Sequence, residues 1–262
     1  MGFVKFVRFV RFMGFVGFVG FVGFGAACGG NSPAPPAGPS PVTPTFSVLV
    51  FSRTEGFRHD SIPAGIAAIR QQGTTRGFSV DATEDAAVFA DDTLARYKAV
   101  VFLSTTGDVL NASQQSAFER FIRRGGGFAG VHAAADTEYD WPFYGGLIGA
   151  YFAGHPDIQN ASILVEDGGH PSTASLPRTW MRRDEWYNFQ RNPRGSVTVL
   201  ATLDERTYSG GTMAPDHPIM WSHTFEGGRS WYTAGGHTAE SFSEALFVEH
   251  LGKAIQWVAG AI

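Results

Sequence analysis

Imidazole titrates closer to neutrality than any other side chain, and this chain carries eight histidines. Seven of them (His59, His132, His155, His170, His217, His223 and His237) fall in loops or at strand ends by the local pattern, where a side chain can reach a ligand. His250 lies inside the last helical pattern and reads as a surface residue. His132 is the first polar side chain after the apolar run Phe128-Ala129-Gly130-Val131. In an open α/β sheet, ligands bind outside the carboxyl ends of the strands, which is where that pattern puts it. If a helix begins after it, Asp136 shares its face, and the two could act as an acid/base pair, as ligands or as an orienting pair. Gly235-Gly236-His237-Thr238 repeats the arrangement, with a histidine where the chain leaves a strand ending at Ala234.

The second cluster is Asp184-Glu185-Trp186-Tyr187-Asn188-Phe189. In an extended chain Glu185 and Tyr187 share one face, with Asp184 and Asn188 on the other. A carboxylate and a phenol beside a histidine can bind hydroxyl groups and move protons. Histidine and carboxylate ligands leave a divalent metal open, but no His-Glu-x-x-His or similar spacing supports one. The spacing therefore assigns no metal ligand and no cofactor. A Gly-x-Ser-x-Gly elbow is absent. The glycines at 125–127 precede their strand instead of following it, so they do not form a phosphate cradle.

These side chains need a frame. Residues 46–52 and 97–103 read as buried strands, and 78–83 as an alternating one. Between the first and the alternating strand lies a helix with Ile62, Ile66 and Ile69 inward, capped by Asp60 or Ser61. A capping box of Asn111 and Gln114 opens a helix through Arg123, with Phe118, Phe121 and Ile122 inward. Strands alternating with helices imply a parallel sheet with right-handed crossovers. Beyond Asp140 the pattern changes to a short helix within 141–151 and strands at 161–166 and 196–202. A hairpin of 218–224 with 229–234 follows, and a closing helix over 242–259 has Leu246, Leu251, Ile255 and Val258 inward.

Residues 1–27 have the character of a signal peptide: three basic residues, then an uncharged run from Phe12 to Ala27, too short to span a bilayer comfortably. Gly25-Ala26-Ala27-Cys28 resembles the bacterial lipoprotein signal, with Gly25 where that motif usually has leucine. The expectation is lipid attachment at Cys28, with a proline-rich tether over 28–45 and one folded domain over 46–262. Cleavage and free secretion is the alternative. Cys28 is the only cysteine, so the domain has neither a cysteine nucleophile nor a cysteine-based zinc site. Removing Lys5, Arg8 and Arg11 from the 20 basic residues leaves 17 against 24 acidic, a net of −7. That balance argues against nucleic acid as a partner.

Together, Thr54-Glu55-Gly56-Phe57-Arg58-His59, Gly125-Gly126-Gly127-Phe128-Ala129-Gly130-Val131-His132, His155-Pro156, His170-Pro171, Asp184-Glu185 with Tyr187, Asp216-His217-Pro218-Ile219 with Trp221, and Gly236-His237-Thr238 resemble the trehalose-utilisation (ThuA-like) family. The resemblance runs from about residue 48 to 260. It implies an α/β, flavodoxin-like (class I glutamine amidotransferase-like) three-layer sandwich with a mostly parallel sheet. In that fold the nucleophilic cysteine sits at the strand-to-helix elbow. Here the elbow residue is His132, which implies that amidotransferase activity is absent. The family name implies a role in sugar catabolism. The expected function is an exported enzyme acting on a sugar or keto-sugar, with His132, His237 and Glu185 as acid/base groups. His59, Asp136, Tyr187, His155 and Trp186 would contact the substrate, and Trp141, Tyr144 and Trp186 could stack on a ring. A non-catalytic carbohydrate-binding lipoprotein and a metal-dependent hydrolase are the alternatives.

Overall fold

The computed structural model describes residues 43–262, so the leader, Cys28 and most of the tether lie outside the described residues. The first half winds as strand, helix, strand: β1 (Phe46–Phe51), α1 (Ile62–Arg76), β2 (Phe78–Thr83), a single turn α2 (Asp91–Leu94), β3 (Ala99–Leu103), α3 (Ala112–Arg123) and β4 (Gly127–Val131). Every residue of β3 and β4 is buried, as expected of parallel strands covered on both faces. The Asn111–Gln114 capping box opens α3 as its spacing predicts. Neither cap proposed for α1 forms; Ser61 Oγ donates instead to Gly236 O at 3.0 Å, joining the helix start to a loop far along the chain.

The second half comprises α4 (Pro142–Ile148), β5 (Phe152–Gly154), β6 (Gln159–Val165), β7 (Thr179–Asp184), β8 (Asn188–Phe189), β9 (Thr198–Leu203), β10 (Pro218–Phe225), β11 (Gly228–Thr233) and α5 (Ala245–Val258). Nine strands form one sheet in the order β2-β1-β3-β4-β11-β10-β9-β6-β7, and β5 pairs separately with β8. Five strands, β2 to β11, are mutually parallel, while β10, β9, β6 and β7 extend the sheet in antiparallel pairs. The α/β, flavodoxin-like architecture thus holds, with an antiparallel wing added through the β10–β11 hairpin.

Glycines on β4 mark the layers. A Cβ on Gly127 would lie 2.3 Å from Val258 O of α5, and one on Gly130 would lie 2.7 Å from Ile148 of α4. Positions three apart on a strand face opposite ways, so α5 and α4 cover opposite faces of the sheet. His250 is not a surface residue: it is fully buried in α5 beneath the ring of Trp231 and hydrogen-bonded to Ser172 O at 2.8 Å. The closing helix starts at Ala245, after a 3-10 turn over Ala239–Ser243.

Candidate functional site

The parallel strands β4 and β11 lie side by side, pairing Val131 with Thr233, so their carboxyl ends deliver His132 and His237 to one place. His132 has φ 51°, a left-handed conformation that costs a non-glycine residue of order 1 kcal/mol. Two bonds hold it there. Its Nδ1–H donates to Ala234 O at 2.7 Å, and Tyr232 Oη donates to His132 O at 2.8 Å. Residues His132–Asp136 then form a 3-10 turn, which carries Asp136 to the same cleft.

Glu185 arrives from just past β7, the outermost strand of the antiparallel wing. Its backbone N–H donates to Asp184 Oδ1, and the same carboxylate accepts from Gly236 N at 2.9 Å and His237 N at 3.1 Å. Asp184 therefore fixes both the glutamate and the histidine loop. Gly236 has φ 115° and lies close under Val131, a path open to glycine alone. His59, in the loop after β1, packs edge-on to His132 at 4.7 Å and to His237 at 5.0 Å.

The resulting distances are short. His132 Nε2 is 3.2 Å from His237 Nδ1, and Glu185 Oε2 is 3.1 Å from His237 Nδ1 and 3.4 Å from His132 Nε2. The other oxygen, Oε1, is 3.1 Å from His155 Nδ1. Because His132 donates through Nδ1, it can also donate to Glu185 through Nε2 only as the imidazolium; its neutral form instead leaves Nε2 to accept from His237. Burial would raise the Glu185 carboxyl, but hydrogen bonds from His132 and His237 pull it down to about 2. Burial likewise opposes charge on His237, yet the Glu185 hydrogen bond and charge raise its pKa overall. His59 is lowered to about 3 by burial and by the neighbouring imidazoles, so it is neutral. Asp136 is raised by burial, against the bond it accepts from Tyr139 Oη at 2.6 Å. Single donor atoms of His59, His132, Glu185 and His237 all lie within 4.8 Å of one another, a set able to hold a metal ion.

Above this cluster opens a cleft of 330 Å³ lined by Phe57, His59, Asp136, Phe152, His155, Glu185, Tyr187 and His237. Of the residues expected at the site, His59, His132, Asp136, His155, Glu185, Tyr187 and His237 converge here. Trp186 does not: it is fully buried and donates to Gln159 O, because the alternation that turns Glu185 and Tyr187 to the cleft turns Trp186 away. Trp141 and Tyr144 are core residues, stacked on each other at 5.9 Å. His170 packs on Trp257, His217 spans Glu205 and Tyr187 O, and His223 reaches Leu147 O. Phe57, 66% exposed at the lip, and the buried Asp184 were missed. An apolar ring in the polar loop at 53–60 was the available signal for Phe57. A larger cavity of 480 Å³ lies on the antiparallel wing, but its charged groups are already paired, Glu166 and Asp216 with Arg194 outside the lining, Asp204 with Arg206, and Glu205 with His217.

Residues 47–258 match the ThuA family, described as trehalose utilisation. A ThuA-like protein from Bacteroides uniformis is 25% identical, with a TM-score of 0.72, and the match covers 86% of this chain and 95% of that one. A ThuA-like protein from Parabacteroides merdae is 20% identical (TM-score 0.69, covering 84% and 91%). A β-galactosidase from Bacillus circulans, 14% identical with a TM-score of 0.56, matches over 82% of this chain and 31% of its own, and shares the fold alone. A comparison with curated proteins found no match. With residues 47–258 matching its model, this chain belongs to the ThuA family.

Proposed function

We propose that this chain is an enzyme acting on a neutral sugar or keto-sugar by acid–base chemistry in the cleft beneath Phe57. The observation that carries the reading is the convergence of His132, His237 and Glu185, from three distant parts of the chain, at the floor of a cleft with an aromatic lip. Phe57, Phe152 and Tyr187 offer flat apolar faces, while Asp136 and His155 offer hydrogen-bonding groups for hydroxyls. The cleft lies at the small end of the size range of ligand sites. Its lining includes two carboxylates and no lysine or arginine, which favours uncharged sugars over sugar phosphates. His132, His237 and Glu185 form the polar centre at which a hydroxyl gives up its proton or a carbonyl oxygen receives one.

Calorimetry against a panel of glycosides and keto-sugars identifies the ligand, and turnover follows. His132→Ala, His237→Ala and Glu185→Gln are each expected to lower turnover on the order of 10²–10⁴-fold. Wild-type turnover in all three sinks the assignment, and binding without any turnover makes the chain a carbohydrate-binding protein. We also propose that the domain works outside the cytoplasmic membrane, tethered through lipid at Cys28. Support comes from the apolar leader, the sole cysteine and the proline-rich stretch after it. Cys28→Ser should move the protein from the membrane to the soluble fraction or block its processing; unchanged fractionation removes the anchor.

A further inference from the structure

The geometry points to a divalent transition-metal site of the zinc class, formed by His132, His237 and Glu185 with His59 as the fourth donor. The inference rests on reading this cleft as the reactive site and changes the part its groups play there. Three donor atoms, His132 Nε2, His237 Nδ1 and Glu185 Oε2, form a triangle with sides of 3.1, 3.2 and 3.4 Å. Tetrahedral zinc, with bonds of about 2.0–2.1 Å, places neighbouring ligand atoms roughly 3.3 Å apart. The triangle is one face of that tetrahedron. The His59 donor atom lies within 4.8 Å of the others, so a modest inward turn of its ring brings it to the fourth corner.

Two further observations favour an ion over a plain hydrogen-bonded cluster. His59 is buried and its Nδ1 has no hydrogen-bond partner, which leaves a ring nitrogen available to a ligand beside the other three donors. The close ligands also carry the outer contacts that metal ligands need. Ala234 O fixes His132 in the tautomer with its lone pair at Nε2, and His155 holds the outer oxygen of Glu185. Three imidazoles and one carboxylate suit zinc or a neighbouring first-row ion better than calcium or magnesium, which prefer oxygen. With the ion bound, His132 and His237 serve as ligands, and the ion supplies polarisation of the substrate oxygen.

The test uses the purified full chain after chelator treatment, titrated with zinc(II) by calorimetry and with cobalt(II) by visible absorption. One equivalent of each ion should bind, cobalt with the intense absorption of four-coordinate geometry. Glu185→Gln and His237→Ala should each weaken binding by at least about 100-fold while circular dichroism stays unchanged. No uptake by the wild type, or wild-type uptake by both variants, overturns the inference. Glu185→Gln keeps the shape of the side chain, so it remains informative if an alanine variant fails to fold. Ion uptake with no sugar bound by either the metal-free or the loaded protein would leave the metal site standing and sink the sugar reading.

Discussion

Asp184 is fully buried and does not line the cleft, yet its replacement should disturb the site more than most cleft residues would. Its Oδ1 accepts from Glu185 N at 3.0 Å and His237 N at 3.1 Å, and its Oδ2 from Gly236 N at 2.9 Å and Ser241 Oγ at 3.0 Å. Arg182 Nη1 stands 3.4 Å from the same carboxylate. Asp184→Asn keeps the volume but retains only one accepting oxygen, so two of the four donors face an amide N–H₂. With the N–H₂ toward Ser241 Oγ, which can accept instead, the Gly236 N–H is the donor left without a partner, at a cost of about 1–3 kcal/mol. Arg182 keeps Glu244 at 2.7 Å, so its charge is not stranded and adds little. A single domain has a total stability of about 5–15 kcal/mol, so the variant should fold but unfold at distinctly lower urea. Urea titration followed by tryptophan fluorescence reads the loss directly. A change below about 1 kcal/mol would refute the claim that this carboxylate holds the His237 loop and Glu185 together.

Two other perturbations probe the frame. Burial lowers the His250 pKa to about 3, helped by nearby Arg182 and His170 and opposed by its bond to Ser172 O. A folded-state pKa below the unfolded value of about 6.5 means that His250 leaves stability intact above pH 6.5 and removes it as pH falls toward 3, by up to about 1.4 kcal/mol per unit. His250→Gln should therefore flatten the acid limb of a urea-midpoint profile between pH 7 and 4; a limb as steep as the wild type would count against it. In β4, Gly127→Ala places a methyl group 2.3 Å from Val258 O, a main-chain atom that cannot swing aside. It should cost about 1–3 kcal/mol in thermal or urea unfolding, and a neutral result would mean that α5 can lift off the sheet freely.

The parallel half was readable because β1, β3 and β4 are largely buried and appear as apolar runs, while the edge strand β2 shows alternation. β7 was not, since its sequence Thr-Trp-Met-Arg-Arg-Asp alternates buried and exposed at the sheet's outer edge and resembles a loop. His132 and His237 could each be placed at a strand end, but that β4 and β11 are neighbours depends on a pairing between distant segments that no local pattern encodes. All four donors were named as site residues, but that their atoms meet as a possible ligand set was not readable, because each comes from a different loop and no regular ligand spacing exists. His250 was misplaced because a helix lying against the sheet buries more than its apolar stripe, and a serine carbonyl binds one of its ring nitrogens there.

What the fold fixes and what the residue fixes can be separated at His132. The sheet dictates that the chain leaves β4 at its carboxyl end, and the Tyr232 hydroxyl and the Ala234 carbonyl hold that turn in a left-handed conformation. Such strain persists only where the surroundings over-determine it. A thiol at this elbow would be a nucleophile. An imidazole with one nitrogen bound to a main-chain carbonyl can only accept or share through the other, and that nitrogen meets His237 and Glu185. One scaffold therefore serves different reactions through the side chain at its elbow, which is why function here has to be argued from the site and not from the sandwich that carries it.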